Sequence, residues 1–377
     1  MRLAPVFAPA FLATFGALVA ALPAGAFTPE EVIARMTELG VKYNGKPLDA
    51  ETIGKISEIN FSSHSADVTP ADLEMLSALP KLEGLSLNRA TLDAAGLAPL
   101  HELKALEELA LLSSGLTDAE LAQLATVTQL KSLSIDSNRD ISDAGIAELA
   151  KLPALETLSL WSTPAGDAAI AAFEGHPTLR KLSLVGTEIT DAAITSLGRV
   201  PGLEVLSVAQ TEVTGATIGA LAACPNLSEL DLYGIKVAPG TGAALGTLTG
   251  LEELMIWQST MSDAELAGIR GLPKLRVIFA DGTPITDASA ETFATLPELS
   301  TLWVSETSFG DPGVAKITGL PLKNLKFEKT PLTDAGLAAL AAIPTLSLIW
   351  VGKSQVTPEG IAAAKAIGAE NGVSILD

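Results

Sequence analysis

Cysteine is almost absent from this chain: Cys224 is the only one in 377 residues. A disulfide within one chain is therefore impossible. Cys224 sits in Ala222-Ala-Cys-Pro225, at a place otherwise filled by apolar residues, and reads as a buried, inert thiol. Histidine is nearly as scarce, with His64, His101 and His176 alone. None shares a predicted face with a nucleophile or stands at metal-ligand spacing. Each reads as a surface or turn histidine, and no catalytic residue, metal site or cofactor is expected. Positive charge is in deficit, with 24 Lys and Arg against 44 Asp and Glu, a net charge of -20. Nucleic acid and anionic membrane surfaces both need a basic face, so neither is an expected partner. No glycine-rich phosphate loop follows a strand.

Long apolar runs are missing too, except at the start. Arg2 precedes an apolar stretch from Val6 to Leu22, and Ala24-Gly25-Ala26 is a small-residue cleavage site. Residues 1–26 thus read as a signal peptide, with a mature chain from Phe27 exported to the periplasm or the medium. The alternative is an uncleaved anchor, against which Pro5, Pro9 and Pro23 stand. No cysteine follows the leader, so lipid attachment there is not expected. No membrane span is expected in the mature chain.

What fills the remainder is repetition. Leu251-Glu-Glu-Leu254-Met-Ile256-Trp-Gln-Ser259 shows the unit, L-x-x-L-x-L-x-x-[STN]. Copies begin at Ile56 (degenerate), Leu82, Leu106, Leu130, Leu155, Leu179, Leu203, Leu227, Leu251, Leu275, Leu299, Leu322 and Leu346, almost always 24 residues apart. With that first residue as position 1, positions 1, 4 and 6 face a core. Positions 3, 5, 7 and 8 face the other way, because side chains alternate across a strand. Position 9 is a short polar residue, suited to pairing backbone groups where the chain turns inside the coil.

Next comes T/S-D-A-x-L/I, as in Thr117-Asp-Ala-Glu-Leu121 and Thr333-Asp-Ala-Gly-Leu337. This is a helix start: Thr or Ser caps free amides and Asp lies at the positive end of the helix. Glu120 and Glu265 are expected to complete capping boxes. Stacked, the Asp residues would form an acidic ridge, open to a divalent cation in an alternative reading. Proline near position 23 stops each helix before the next strand. Residues 27–55 read as an N-terminal cap: a helix from Thr28-Pro29-Glu30-Glu31, then a strand turning at Asn44-Gly45. Residues 56–357 hold the repeats. Residues 358–377 read as a C-terminal cap of helix plus edge strand.

The L-x-x-L-x-L-x-x-T-x-I-T-D-A-G-L pattern resembles the leucine-rich repeat family, most closely the 24-residue repeats of secreted bacterial proteins with helical convex sides like the ribonuclease-inhibitor group. The resemblance covers about residues 56 to 377. Thr largely replaces the family's usual Asn at position 9. It implies an α/β solenoid, a horseshoe with a concave parallel β-sheet and short convex helices, used to bind other molecules, usually proteins.

The concave positions are where function is expected. Position 5 runs Ser86, Ala110, Ser134, Ser159, Ser183, Ser207, then Asp231, Met255, Phe279, Trp303, Lys326, Trp350. Position 7 contributes Trp161, Tyr233 and Trp257. All four tryptophans thus fall at concave, solvent-facing positions, whereas Phe61, Phe173, Phe293, Phe309 and Phe327 fall at core positions. The serine row has no histidine to serve as its base. Several large aromatics side by side exceed what a monomer usually leaves exposed. Glu306, Glu328, Lys329 and Lys353 would rim them, the composition of a protein-binding centre. The expectation is a monomeric, non-catalytic scaffold for a protein partner. A glycan stacked on the aromatic row is the alternative, and mutual stacking that only stabilises the sheet is the plainer one.

Overall fold

A computed structural model describes residues 27–61, 67–370 and 372–377. The leader reading on Met1–Ala26 and the turn assigned to His64 lie outside the described residues. The thirteen repeats and the C-terminal edge strand build one parallel sheet of 14 strands whose spatial order is their order in the chain, from Glu58–Asn60 to Ser374–Leu376. Each strand is three residues long, at positions 3 to 5 in every repeat. Position 4 pairs with position 4 throughout, as in Leu230↔Leu254, Leu254↔Ile278 and Ile278↔Leu302. Leucine spacing fixes that register, because a one-residue slip would turn every apolar side chain to water. Positions 1, 4 and 6 fill the coil; Leu251, Leu254 and Ile256 are each 0 % exposed.

Two position-specific devices hold the turns. Position 8 is left-handed in twelve successive coils, from Arg89 to Lys353, with φ between 51° and 73°. Only Gly186, Gly234 and Gly282 among them are glycine. At this place the amide must still donate to position 7 of the next coil, as Gln258 does to the Asp281 carbonyl (2.7 Å), while the chain turns off the strand. At position 9, Thr donates its hydroxyl back to the carbonyl three residues earlier, as Thr187 does to Leu184 (2.6 Å) and Thr330 to Phe327 (2.8 Å). Asn138 behaves differently. Its Nδ2 donates to Leu111 (2.8 Å) in the preceding coil and Ile135 (2.7 Å) in its own, and its Oδ1 accepts from Ser114 and Leu116. Thr therefore closes its own turn, whereas Asn also staples two coils.

On the convex side the T/S-D-A starts form helices, among them Asp118–Leu124, Asp191–Leu197 and Asp334–Ala341. The Asp carboxylates do more than favour their own helix. Asp167 accepts from the Thr190 amide (2.8 Å), the Thr190 hydroxyl (2.7 Å) and the Ala193 amide (3.1 Å), all in the next coil. Asp118 holds Ser142 in the same way, Asp311 holds Thr333 and Asp334 holds Thr357. The Thr357 amide, then its hydroxyl, hold the Asp334 carboxyl below the usual range. The ridge is thus a chain of clasps whose carboxylate oxygens are taken by neighbouring donors. This also explains the glycine in T-D-A-G: a Cβ at Gly336 would meet Asp311 Oδ1 at 2.2 Å.

Glu265 departs from expectation. Glu120 completes its capping box with Thr117, but the Glu265 carboxylate reaches back to the amides of Gly240 (3.0 Å) and Gly242 (2.7 Å). Those amides open the helix Thr241–Leu245, whose preceding coil carries Gly215 where a clasping Asp would stand. The unmet helix start recruits the nearest carboxylate from the other side.

At the N-terminal end, the helix Pro29–Glu38 has the Thr28–Glu31 capping box, and Lys42–Tyr43 pairs with Lys46–Pro47 across Asn44-Gly45. Arg35 grips the buried Asp72 with Nε (2.7 Å) and a second guanidinium nitrogen (3.0 Å), tying this helix to Pro70–Met75. Burial works against charge on Asp72, but Arg35 and Thr69 outweigh it and hold the carboxyl low. At the other end Pro358–Ile367 packs on Asp334–Ala341, and Ser374–Leu376 is the edge strand. No helix among the described residues is long and apolar enough to cross a membrane.

Candidate functional site

Short strands with position 4 buried leave positions 3 and 5 as the floor of the concave face, and position 5 is half-buried along the series. The tryptophans do lie there. Trp161 is 46 % and Trp257 40 % exposed, while Trp303 and Trp350 are half-buried. Phe61, Phe173, Phe293, Phe309 and Phe327 are 0 % exposed in the core, and Phe279 is half-buried on the concave side. Strand pairing puts Met255, Phe279, Trp303, Lys326 and Trp350 side by side.

The aromatics do not form one open row. Phe279 and Trp303 stack with centroids 4.3 Å apart, and Trp350 meets Trp303 edge-on at 6.1 Å, reaching past Lys326. The Lys326 ammonium stands 5.2 Å from the centre of the Trp303 ring. Tyr233 and Trp257 make a separate stack at 4.5 Å. Among the described residues Trp161 has no aromatic neighbour, because Val185 and Ala209 fill position 7 in the two coils between it and Tyr233. Mutual stacking and exposure are therefore both present: adjacent rings cover each other's faces and leave edges and outer faces to water.

Around the C-terminal cluster lie charges in close exchange. Lys326 is 3.1 Å from Glu328 and 3.6 Å from Asp281. Burial disfavours charge on Lys326, yet Glu328 first and then Asp281 hold its ammonium protonated above the ordinary lysine range. Burial pushes the Asp281 carboxyl up, and the Ser305 amide (2.6 Å) and Lys326 pull it back only in part. Lys329 pairs with Glu306 (2.5 Å), which lowers the Glu306 carboxyl, and Lys353 is exposed on the same edge. Trp303 Nε1–H is buried with no acceptor among the described residues. Leaving such a donor unmet costs about 1–3 kcal/mol.

Asp281 belongs to a set that sequence reading missed. Position 7 amides fall outside the strand ladder, and acidic or amide side chains satisfy several of them. Trp161 N–H donates to Asp136 (2.9 Å), Leu112 N–H to Asn88 (2.8 Å) and Ser305 N–H to Asp281. Asp136 also takes the hydroxyls of Ser134 (2.9 Å) and Ser159 (2.6 Å), so part of the serine row is committed to structure. The signal available was an Asp or Asn at position 7, two residues before the turn.

The N-terminal end of the face holds a trough of about 470 Å³, lined by Gly84, Ser86, Ala110 and Ser134 and by Lys42 of the cap. Among the histidines, His101 is exposed and pairs with Glu102 at 2.8 Å. His176 corrects the surface reading. It is 4 % exposed, donates Nε2–H to the Leu152 carbonyl (3.1 Å) and accepts the Leu179 amide at Nδ1 (3.2 Å). It fills the return-side column where Val127, Val200 and Cys224 stand in other coils, and burial lowers its pKa. Cys224 is buried, with its thiol pushed up by burial.

No family model and no curated protein matches this sequence. Solved structures do. The chain is similar to an internalin from Listeria monocytogenes at 18 % identity, with 96 % of each chain covered and a TM-score of 0.63. It also aligns with a leucine-rich repeat protein of Leptospira interrogans at 16 % identity, covering 86 % of this chain and 96 % of that one, with a TM-score of 0.49. At such identity the likeness speaks for architecture, and together with the in-register sheet and short helices it makes this chain a leucine-rich repeat solenoid of the α/β class.

Proposed function

We propose that the protein is a non-catalytic binding scaffold that takes a protein partner on the C-terminal half of its concave face. The observation that carries this is local concentration. Phe279, Trp303 and Trp350 meet around Lys326 at position 5, where the coils from Ser86 to Ser207 carry Ser or Ala. A sheet face needing only stability has no use for a buried, unmet Trp303 N–H. An aromatic centre beside Asp281, Glu306, Glu328, Lys329 and Lys353 offers apolar area with both signs of charge around it, the make-up of a protein interface. Met255, Trp257 and Tyr233 extend the same face, and Trp161 lies apart from it.

Affinity capture from the native host tests this with wild type and Trp303→Ala/Trp350→Ala, using Trp161→Ala as control. A partner held by wild type and by the control but lost with the double variant supports the reading. Equal recovery with all three folded proteins sinks it. The same reading takes the chain as a monomer, and the Arg2, Val6–Leu22 and Ala24-Gly25-Ala26 pattern supports its export. N-terminal sequencing of the mature protein should begin at Phe27.

A further inference from the structure

A second feature lies on the edge of the concave face, apart from the C-terminal cluster. Gly234, at position 8, stands between Gln210 and Gln258 at position 8 of the coils on either side. All three are left-handed, with φ of 55°, 73° and 52°. The glycine leaves a gap where its neighbours project side chains. A Cβ there would already stand 3.5 Å from Gln210 Cγ. The gap opens a cleft of about 430 Å³, walled by Tyr233 and by the two glutamines. Trp257, 40 % exposed and stacked on Tyr233, continues the aromatic wall onto the concave face.

Its hydrogen bonds have a direction. Gln210 Nε2–H donates to the Tyr233 hydroxyl at 3.4 Å, and that hydroxyl donates to Gln258 Oε1 at 3.1 Å. The chain fixes both amides. It leaves the Gln210 carbonyl oxygen as an acceptor on one side and the Gln258 amide hydrogens as donors on the other. The shared hydroxyl draws the two amides towards each other across the coil between them. The charges at the outer wall, Glu212 and Lys236, are exposed and opposite in sign, so the cleft has no net charge.

An aromatic wall flanked by one neutral acceptor and one neutral donor matches the chemistry of a pyranose. The C–H face of such a ring packs on an aromatic surface, and its hydroxyls both give and take hydrogen bonds. A cleft of this volume falls within the range of small-ligand sites. We infer that the Gln210–Tyr233–Gln258 cleft is a binding site for an uncharged hexopyranose unit of a glycan, separate from the protein-binding cluster. An exposed site with few polar anchors holds a single ring weakly, with a dissociation constant on the order of 1 mM. Affinity for a polysaccharide would then come from many units.

The test uses the full mature chain with the methyl glycosides of glucose, galactose, mannose and N-acetylglucosamine. Saturation-transfer NMR reports contact, and a tryptophan fluorescence titration reports affinity. At least one glycoside should bind. Gln258→Ala, an exposed change that leaves the coil core untouched, should weaken it about tenfold, the size of one lost hydrogen bond to a ligand. Tyr233→Phe, which frees both glutamines, should also weaken it, and Trp350→Ala should leave it unchanged. Absence of transfer from all four glycosides overturns the inference. So does binding that survives Gln258→Ala and Tyr233→Phe but falls with Trp350→Ala. The protein-partner reading stands or falls on its own capture experiment.

Discussion

Removing one carboxylate from the convex face should damage a helix that it does not belong to. Asp167 begins its own helix, Asp167–Ala171, but its three hydrogen bonds go to Thr190 and Ala193 at the start of the next helix, Asp191–Leu197. Asp167→Ala leaves the Thr190 amide and hydroxyl at a helix N-terminus without their acceptor, while the Ala193 amide keeps its bond to the Thr190 carbonyl (3.1 Å). The site is half-exposed, so water replaces the carboxylate in part. The cost is that of a lost N-cap, about 1–2 kcal/mol, below the sum for three buried charged bonds. In native-state amide exchange, Thr190 should lose about 5–30-fold in protection, the equivalent of that free energy, and Ala193, which keeps the Thr190 carbonyl, should lose less. Local exchange is the right measure because solenoid stability is a sum over neighbouring units and one global midpoint blurs it. A double-mutant cycle of Asp167→Ala with Thr190→Val should give a coupling of about 0.5–3 kcal/mol. If protection is lost at Ile170 and its helix while Thr190 and Ala193 keep theirs, or if the cycle is additive, the clasp is not what the Asp is for.

Gly336→Ala should break the equivalent clasp by driving Cβ into Asp311, and lower stability by about 2 kcal/mol in urea unfolding. Gly219→Ala, whose Cβ would meet only Ala244 Cβ at 3.6 Å, should be neutral or stabilising by about 0.5–1 kcal/mol. Arg35→Ala leaves Asp72 buried without its guanidinium and should cost about 3 kcal/mol, seen as early proteolytic loss of residues 27–55 followed by aggregation of the exposed core. Lys353→Gly should be tolerated at its φ of 57°, whereas Lys353→Val should destabilise by about 1–2 kcal/mol in the same unfolding assay. His176 stays neutral in the coil because burial lowers its pKa, while the unfolded chain titrates near 6.5. As pH falls below 6.5 the unfolded chain takes up a proton that the folded chain refuses, so stability should drop from there towards the depressed folded value. His176→Leu should flatten that slope in unfolding curves taken from pH 7.5 to 5.

Much of the fold was legible from leucine spacing, because position 4 must be buried in every coil and no other register buries Leu254, Ile278 and Leu302 together. The sorting of tryptophan from phenylalanine was legible for the same reason, since alternation across a strand decides the face from the number alone. His176 was misread because its column is set by the return segment, where spacing carries no period as strict as the strand's. Glu265 was misread because the capping box is a local rule, and the coil before it offered an unmet helix start.

The sequence by itself determined the repeat, its register and which side of the sheet each aromatic occupies, since those follow from periodicity within one unit. Only the tertiary structure decided what residues 24 apart do to one another. It showed that Asp167 clasps Thr190, that Asn138 staples its neighbour while Thr187 closes its own turn, that Trp303 stacks with Phe279 and Trp350 but not with Trp161, and that Gly234 opens a cleft between two glutamines. The physical reason is the coil spacing. About 4.8 Å between strands brings side chains of successive units within hydrogen-bonding and stacking reach, and rotamers and neighbours across that gap settle which contacts form.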